Sequence, residues 1–223
     1  MVEREGGSRG ANYPVTIIVR PATEGRNRLT TAFRAILAIP HIIVVGGPVA
    51  AFCSIGSSTD EGSTSGSGSG GVLGVVAGIC AIIAWFAILF TGRHPEGLWK
   101  LAAFYLRWRV RAVAYLMLLR DEYPPFGDGE YPAELTLTMP DGKRDRLTVA
   151  FRLLLALPHI IILSVLSLLW LLTTVVAWFV VLVSGRYPPT LYGFAIGVLA
   201  WIARVEAYML LLRDEYPPFT LRA

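Results

Sequence analysis

Arg120-Asp121-Glu122-Tyr123-Pro124-Pro125-Phe126 recurs unchanged as Arg213-Asp214-Glu215-Tyr216-Pro217-Pro218-Phe219. Each copy closes an apolar run, Tyr115 to Leu119 and Tyr208 to Leu212. Seven identical residues in one order mark the end of a duplicated unit, and duplication constrains a fold before any local pattern does. Working upstream, Trp201 matches Trp108, Arg204 matches Arg111 and Gly185-Arg186 matches Gly92-Arg93, all 93 residues apart. Further upstream the spacing becomes 118: Tyr131-Pro132 with Tyr13-Pro14, Ala150-Phe151-Arg152 with Ala32-Phe33-Arg34, Pro158-His159 with Pro40-His41. The 25-residue difference falls at a Ser/Gly-rich, low-complexity loop, residues 54–71, in the first copy. The chain therefore divides into a disordered leader (1–12), repeat 1 (13–126), a linker (127–130) and repeat 2 (131–219).

Of the 223 residues 54% are hydrophobic and 16% charged, and the mean hydropathy is +0.56. Soluble domains carry about 25% charged residues, so the composition predicts a membrane protein. The polar first dozen residues lack the apolar core of a secretory signal peptide, and none is expected. A net charge of +4 would raise nucleic-acid binding in a soluble protein. Here the cations flank apolar spans, so the expected partners are membrane lipids with anionic headgroups and not nucleic acid. Cys53 and Cys80 both sit in apolar surroundings and imply no disulfide framework.

The apolar stretch from Phe151 to Gly185 is too long for one spanning helix of about 20 residues and short for two. In the first copy a polar loop interrupts the matching stretch, and its backbone would lack partners inside hydrocarbon. The reading is an all-α integral membrane protein of two parallel repeats. Each would hold a short β-strand, a transmembrane helical hairpin (29–91; 147–184, turning at Ser164 to Leu172) and an interfacial amphipathic helix (98–119; 191–212). All 20 Lys and Arg lie outside the two hairpin tips. The positive-inside rule then puts both termini in the cytoplasm of a multi-pass cell-membrane protein. The strands Val15 to Arg20 and Ala133 to Met139 could pair as a cytoplasmic ribbon, in a direction the sequence leaves open.

Trp99, Lys100, Arg107, Trp108, Arg109, Arg111, Trp201 and Arg204 combine aromatic rings with cations, as helices at headgroup depth do. They are the expected lipid-facing residues. In the heptads, Arg120 and Arg213 suit a helix C-terminus, and the Pro pairs force the chain out of the helix. Asp121, Glu122, Asp214 and Glu215 need cations, so with Tyr123 and Tyr216 the heptads read as a structural clasp or else a partner site. His41 and His159, each seven residues past Arg34 or Arg152, form a candidate intramembrane polar site. Either each satisfies a carbonyl freed by the preceding Pro, or the two meet across a pseudo-twofold axis and bind a metal or quinone. No metal-ligand, nucleophile or phosphate-loop motif stands in the sequence. The expectation is a non-enzyme with no catalytic residues, no resident metal and no cofactor.

Tyr-Pro before a strand, Leu37-Ala38-Ile39-Pro40-His41 and Leu155-Ala156-Leu157-Pro158-His159, the Gly92-Arg93-His94-Pro95 and Gly185-Arg186-Tyr187-Pro188 turns, and the two heptads together resemble the bacterial family of the domain of unknown function 4389. The resemblance covers nearly all of residues 13–219. It implies a prokaryotic membrane protein and carries over no catalytic residues, because that family has no assigned activity. Three functions are compatible with these features. The first is a scaffold that oligomerises or shapes the bilayer; the second is an accessory subunit docking on a partner membrane protein; the third is a small transporter or channel centred on the histidines.

Overall fold

The computed structural model describes residues 13–48, 71–140, 142 and 144–222. The leader at 1–12 and the Ser/Gly loop up to residue 70 lie outside the described residues.

Alternating residues after each Tyr-Pro form strands β1 (Val15–Val19) and β2 (Ala133–Leu137), which pair antiparallel. Val15, Ile17, Ala133, Leu135 and Leu137 point inward; Thr16, Ile18, Glu134 and Thr136 are exposed. The ribbon anticipated from the sequence thus forms, and the register supplies its direction. Ile17 pairs with Leu135, its own counterpart in the second repeat, with Val15–Leu137 and Val19–Ala133 on either side. Such a register is that of a local twofold axis through the Ile17–Leu135 pair, as in an isologous dimer interface.

The helices are α1 (Arg28–Leu37), α2 (Ile39–Val45), α3 (Gly71–Thr91), α4 (Glu96–Leu116), α5 (Arg146–Ala150), α6 (Arg152–Ser184) and α7 (Pro189–Met209). Matching polar residues start α1 and α5. Asn27 Oδ1 accepts from the N–H groups of Leu29 (3.0 Å) and Thr30 (3.3 Å), and Asp145 Oδ1 accepts from that of Leu147 (3.0 Å). Gly92 and Gly185, at φ 73° and 71°, end α3 and α6 in the left-handed region that glycine enters freely. Their carbonyls accept from the backbone N–H groups of Arg144 (3.0 Å) and Arg26 (3.1 Å).

Neither repeat contains the predicted hairpin. In the second, the expected turn at Ser164 to Leu172 lies inside α6, a single helix of 33 residues. That stretch has no Gly or Pro to break it, and Ser164 Oγ bonds within the helix, donating to Ile161 O at 2.7 Å. Its buried residues recur every three or four positions (Arg152, Ala156, His159, Leu163, Ser167, Trp170, Thr174, Ala177, Val181), one narrow stripe along the full length.

The first repeat builds the same rod from pieces. α1 and α2 meet at a 42° bend, with Pro40 in the first turn of α2 where its missing N–H costs nothing. α3 begins at Gly71, so close to α2 that a Cβ there would come 2.6 Å from Gly46 N and Val44 O. Trp178 Nε1 donates to Thr31 O at 2.9 Å, and Trp85 Nε1 donates to Val149 O at 2.9 Å; these are repeat-equivalent bonds. Equal spacing of equivalent contacts requires α1–α2–α3 to extend end to end as α5–α6 does. α2 and α3 therefore meet at a helix joint between Gly46 and Gly71, and the predicted tip of the first hairpin lies outside the described residues.

These bonds place the start of each long rod beside the end of the other, so the rods run antiparallel. α4 packs on α3 and β2, and α7 packs on α6 and β1. The result is three layers: ribbon, then α4 with α7, then the two rods. β1 runs alongside α7, from Tyr13, whose hydroxyl donates to Glu215 O (2.9 Å), to Arg20, whose carbonyl accepts from Tyr192 (3.4 Å).

α4 and α7 consequently do not present the expected residues to lipid. Trp99, Arg109, Arg111, Trp201 and Arg204 are buried in the middle layer. Aromatic–cation interleaving suits headgroup depth, but it also suits a polar seam between helices, and only the packing distinguishes the two. Lys100 remains exposed beside Glu96 (2.6 Å), and Arg107 partly so, 3.6 Å from Asp128. Three helices, Gly71–Thr91, Arg152–Ser184 and Pro189–Met209, are long and apolar enough to cross a membrane.

Candidate functional site

Each heptad begins where its helix ends. Leu118 and Leu211, at φ 65° and 62°, occupy the left-handed region, a conformation that costs a non-glycine residue about 1 kcal/mol. Their carbonyls are turned to accept from buried guanidiniums. Arg26 Nη2 donates to Leu118 O, and Arg144 Nη2 donates to Leu211 O at 2.6 Å. Other terminal carbonyls are met from the rods: Arg34 Nη1 donates to Tyr115 O (3.0 Å) and Arg120 O (2.8 Å), and Arg152 Nη1 to Tyr208 O (2.7 Å). Helix C-termini attract cations because their last carbonyls lack partners. Here the cations come from other elements and so lock those elements together.

One carboxylate then serves two arginines. Asp121 pairs with Arg26 (3.0 Å) and with Arg34; Asp214 pairs with Arg144 (2.5 Å) and Arg152 (2.7 Å). The second acidic residue turns toward the ribbon. Arg120 binds Glu122 (2.5 Å) while donating to Arg20 O, and Arg213 binds Glu215 (3.0 Å) while donating to Thr138 O at 2.7 Å. Tyr131 donates to Glu122 O at 2.8 Å, mirroring Tyr13 on Glu215 O, so each strand reaches the other repeat's heptad.

The electrostatics follow. Burial pulls the Arg26 and Arg144 guanidiniums below their ordinary values, against the pull of Asp121 and Asp214. Burial pushes the Tyr13 and Tyr131 phenols well up, helped by Glu215 and Glu122. Burial by itself would raise the Glu122 carboxyl. Backbone N–H groups and Arg120 outweigh it and hold the group below the usual range.

The aromatic ends of the heptads close over the histidines. His41 stacks on Phe126 (4.5 Å between centroids) and His159 on Phe219 (4.0 Å), with Tyr123 and Tyr216 at 5.0 and 4.9 Å. Trp108 and Trp201 each donate Nε1–H to the histidine Nδ1 at 3.1 Å. An imidazole accepting at Nδ1 carries its proton on Nε2, so both rings sit here as neutral aromatics. Each is enclosed by residues of its own repeat, and no described hydrogen bond or ring contact joins the two. Among the described residues no three His, Cys, Asp or Glu side chains gather as a metal site.

The structure thus merges two sequence-level candidates. Arg34, Arg152, His41 and His159 belong to the same constellation as the heptads, because the rods pass beside the ends of α4 and α7. Arg26 and Arg144 were missed as site residues although they stand at the same 118-residue spacing, and Tyr13 and Tyr131 were read only as markers of the repeat. Two features break the symmetry. Arg109 pairs with Glu206 at 3.0 Å, both buried, where the repeat places Ile202 and Val113. Arg111 donates to Gly127 O at 2.9 Å, whereas its buried counterpart Arg204 has no hydrogen-bond partner at Nε or Nη1.

A family model, domain of unknown function DUF4389, matches residues 70–127 and 146–220. The chain belongs to the DUF4389 family. The two matched segments are tandem DUF4389 copies, each ending on its heptad. The second runs unbroken from α5, and the first starts where α3 starts, beyond the insertion that separates it from α1 and α2. No curated protein matches the chain, and no solved structure does.

Proposed function

We propose that the protein is a non-enzymatic membrane scaffold that lays its two rods in one leaflet and thereby shapes the bilayer. The observation that carries this reading is the outer face of α6. Outside its buried stripe the exposed large side chains run from Leu153 to Val183 and are all apolar. At 1.5 Å per residue that is about 45 Å of lipid-seeking surface. A helix standing upright in about 30 Å of hydrocarbon would leave a third of it in water, and tilts beyond about 40° are not the rule.

Lying in the plane removes the mismatch. It also keeps the ribbon in water, since the ribbon runs parallel to the helices on the opposite side. With upright helices, Glu134, Thr136 and the unpaired strand edges would sit at membrane depth, where backbone groups have no partners. Arg28, Arg93, Arg146 and Arg186 are exposed at the rod ends, placed to snorkel to anionic headgroups. The ribbon, the heptads and the chain at Tyr13 and Arg222 then face the cytoplasm. A slab in one leaflet expands that leaflet relative to the other. The clasps suit the role, because they bind rods, helix ends and ribbon into a plate that resists bending.

Protein added at high protein-to-lipid ratio should narrow or tubulate vesicles; unchanged diameters in electron micrographs would overturn the shaping role. Placement is tested separately by spin labels at Leu157→Cys, Val165→Cys and Val176→Cys. An in-plane helix puts them at similar depths in one leaflet. A depth gradient along α6, with Arg146→Cys and Arg186→Cys labelled from opposite sides, would restore a spanning helix.

A further inference from the structure

Two crevices open on the apolar face, and the repeat relates them residue by residue. One, of about 290 Å³, lies between α1, the end of α4 and α6, lined by Arg34, Ala35, Leu116, Trp178 and Phe179 among others. The other, of about 260 Å³, lies between α3, the end of α7 and α6, with Arg152, Leu153, Met209, Trp85 and Phe86 at the matching places. Phe179, Leu153 and Phe86 are exposed, so both crevices face the side assigned to lipid. An apolar crevice alone would fit any hydrocarbon. The arginines narrow the choice.

Arg34 and Arg152 are 2% and 3% exposed, and the Nε of each has no hydrogen-bond partner. Each belongs to a cluster in which two guanidiniums share one carboxylate, so one positive charge per repeat is met by helix-end carbonyls alone. A buried donor without an acceptor and a buried surplus charge are both costly. One ligand would relieve both: an acyl chain carrying an anionic, oxygen-rich head.

We propose that each crevice holds one anionic phospholipid, its acyl chain along the Trp/Phe wall and its phosphate toward Arg34 or Arg152. The inference rests on the lipid immersion of the rod face argued above, but it is read in detergent, where vesicle remodelling plays no part. Failure of one therefore leaves the other standing.

The test is native mass spectrometry of the full chain in mild detergent with phosphatidylglycerol, phosphatidylcholine or palmitate. The expected result is two retained phosphatidylglycerol molecules per chain, preferred roughly tenfold over phosphatidylcholine, whose phosphate offers the same acceptors but whose choline cation cancels the charge that the arginines seek. Ala35→Trp and Ala81→Trp fill one crevice each from the wall, away from the arginine network. Each should leave one bound lipid and the pair none, with unchanged melting in lipid-free detergent. Equal retention of phosphatidylcholine, displacement by equimolar palmitate, or two lipids on the double variant would overturn the proposal. A measurement without substitutions stands beside it: phosphatidylglycerol with brominated chains should quench Trp85 and Trp178 saturably at two per chain. Quenching that climbs without saturation would count against defined sites.

Discussion

The two repeats share their ends and differ in their middles. At the ends, Asp121 and Asp214 hold equivalent arginines, Tyr131 and Tyr13 cap equivalent carbonyls, and His41 and His159 stack on equivalent phenylalanines. In the middle, α6 is unbroken where the first repeat carries an insertion between Val45 and Gly71, and Arg109 with Glu206 replaces an apolar pair. The ends are where helices stop, and unpaired carbonyls there demand cations in both copies. The middle is helix packed on helix, where backbone groups are already satisfied and side chains are free to diverge.

That comparison can be broken in several ways. The largest effect is expected at the divergent pair. Glu206→Val copies Val113 but strands Arg109, and should cost about 3–5 kcal/mol. Adding Arg109→Ile, which copies Ile202, should recover most of the loss in denaturant titrations, because an apolar pair of similar volume often matches a buried ion pair. A double variant as unstable as the single would mean that Arg109 is required beyond the pair, as its 2.7 Å bond to Val45 O allows.

Next come the clasps. Asp121→Asn and Asp214→Asn each leave two guanidiniums with one acceptor fewer, for about 2–3 kcal/mol after discounting partial exposure. The two losses should agree; a large effect in one copy only would end the equivalence of the ends. Deleting residues 46–70 restores the register of the second copy. It should yield a folded protein of unchanged helicity by circular dichroism, stabilised by about 1–3 kcal/mol through a shorter loop. Loss of folding would mean that the two repeats are not equivalent at this joint.

Trp108→Phe and Trp201→Phe each remove one hydrogen bond to a stacked histidine and should cost about 1 kcal/mol, read as a small, equal fall in melting temperature. The smallest effect is on pH. The Glu122 carboxyl is held below its ordinary value in the folded state, so its contribution is complete above about pH 4.3 and fades as pH falls further. Glu122→Gln should flatten that acid limb and change little at neutral pH.

Much of the site was legible before any fold was known. The heptads recur 93 residues apart and the paired arginines and Pro-His steps 118 apart, and a charged pair after an apolar run needs cations. That Arg34 supplies one of them was not legible, because the two are far apart in sequence and meet only when a rod passes the end of α4. The hairpin reading failed for a related reason. A mostly apolar run of 33 residues is ambiguous between one long helix and two short ones when length is judged against an upright span. The lipid-facing reading of Arg109 failed because an arginine beside a tryptophan looks alike at a headgroup and at Glu206.

The sequence by itself determined the duplication, the helical and membrane-seeking character, the strand positions and the residues that would form the clasps. All of these depend on neighbours along the chain or on comparison of the chain with itself. Only the tertiary structure decided that the rods run antiparallel on one face, that α4 and α7 are buried between rods and ribbon, and that each heptad locks three layers. Direction and burial are set by packing across the twofold axis at Ile17 and Leu135, and no periodicity within one element encodes which face of its neighbour it will meet.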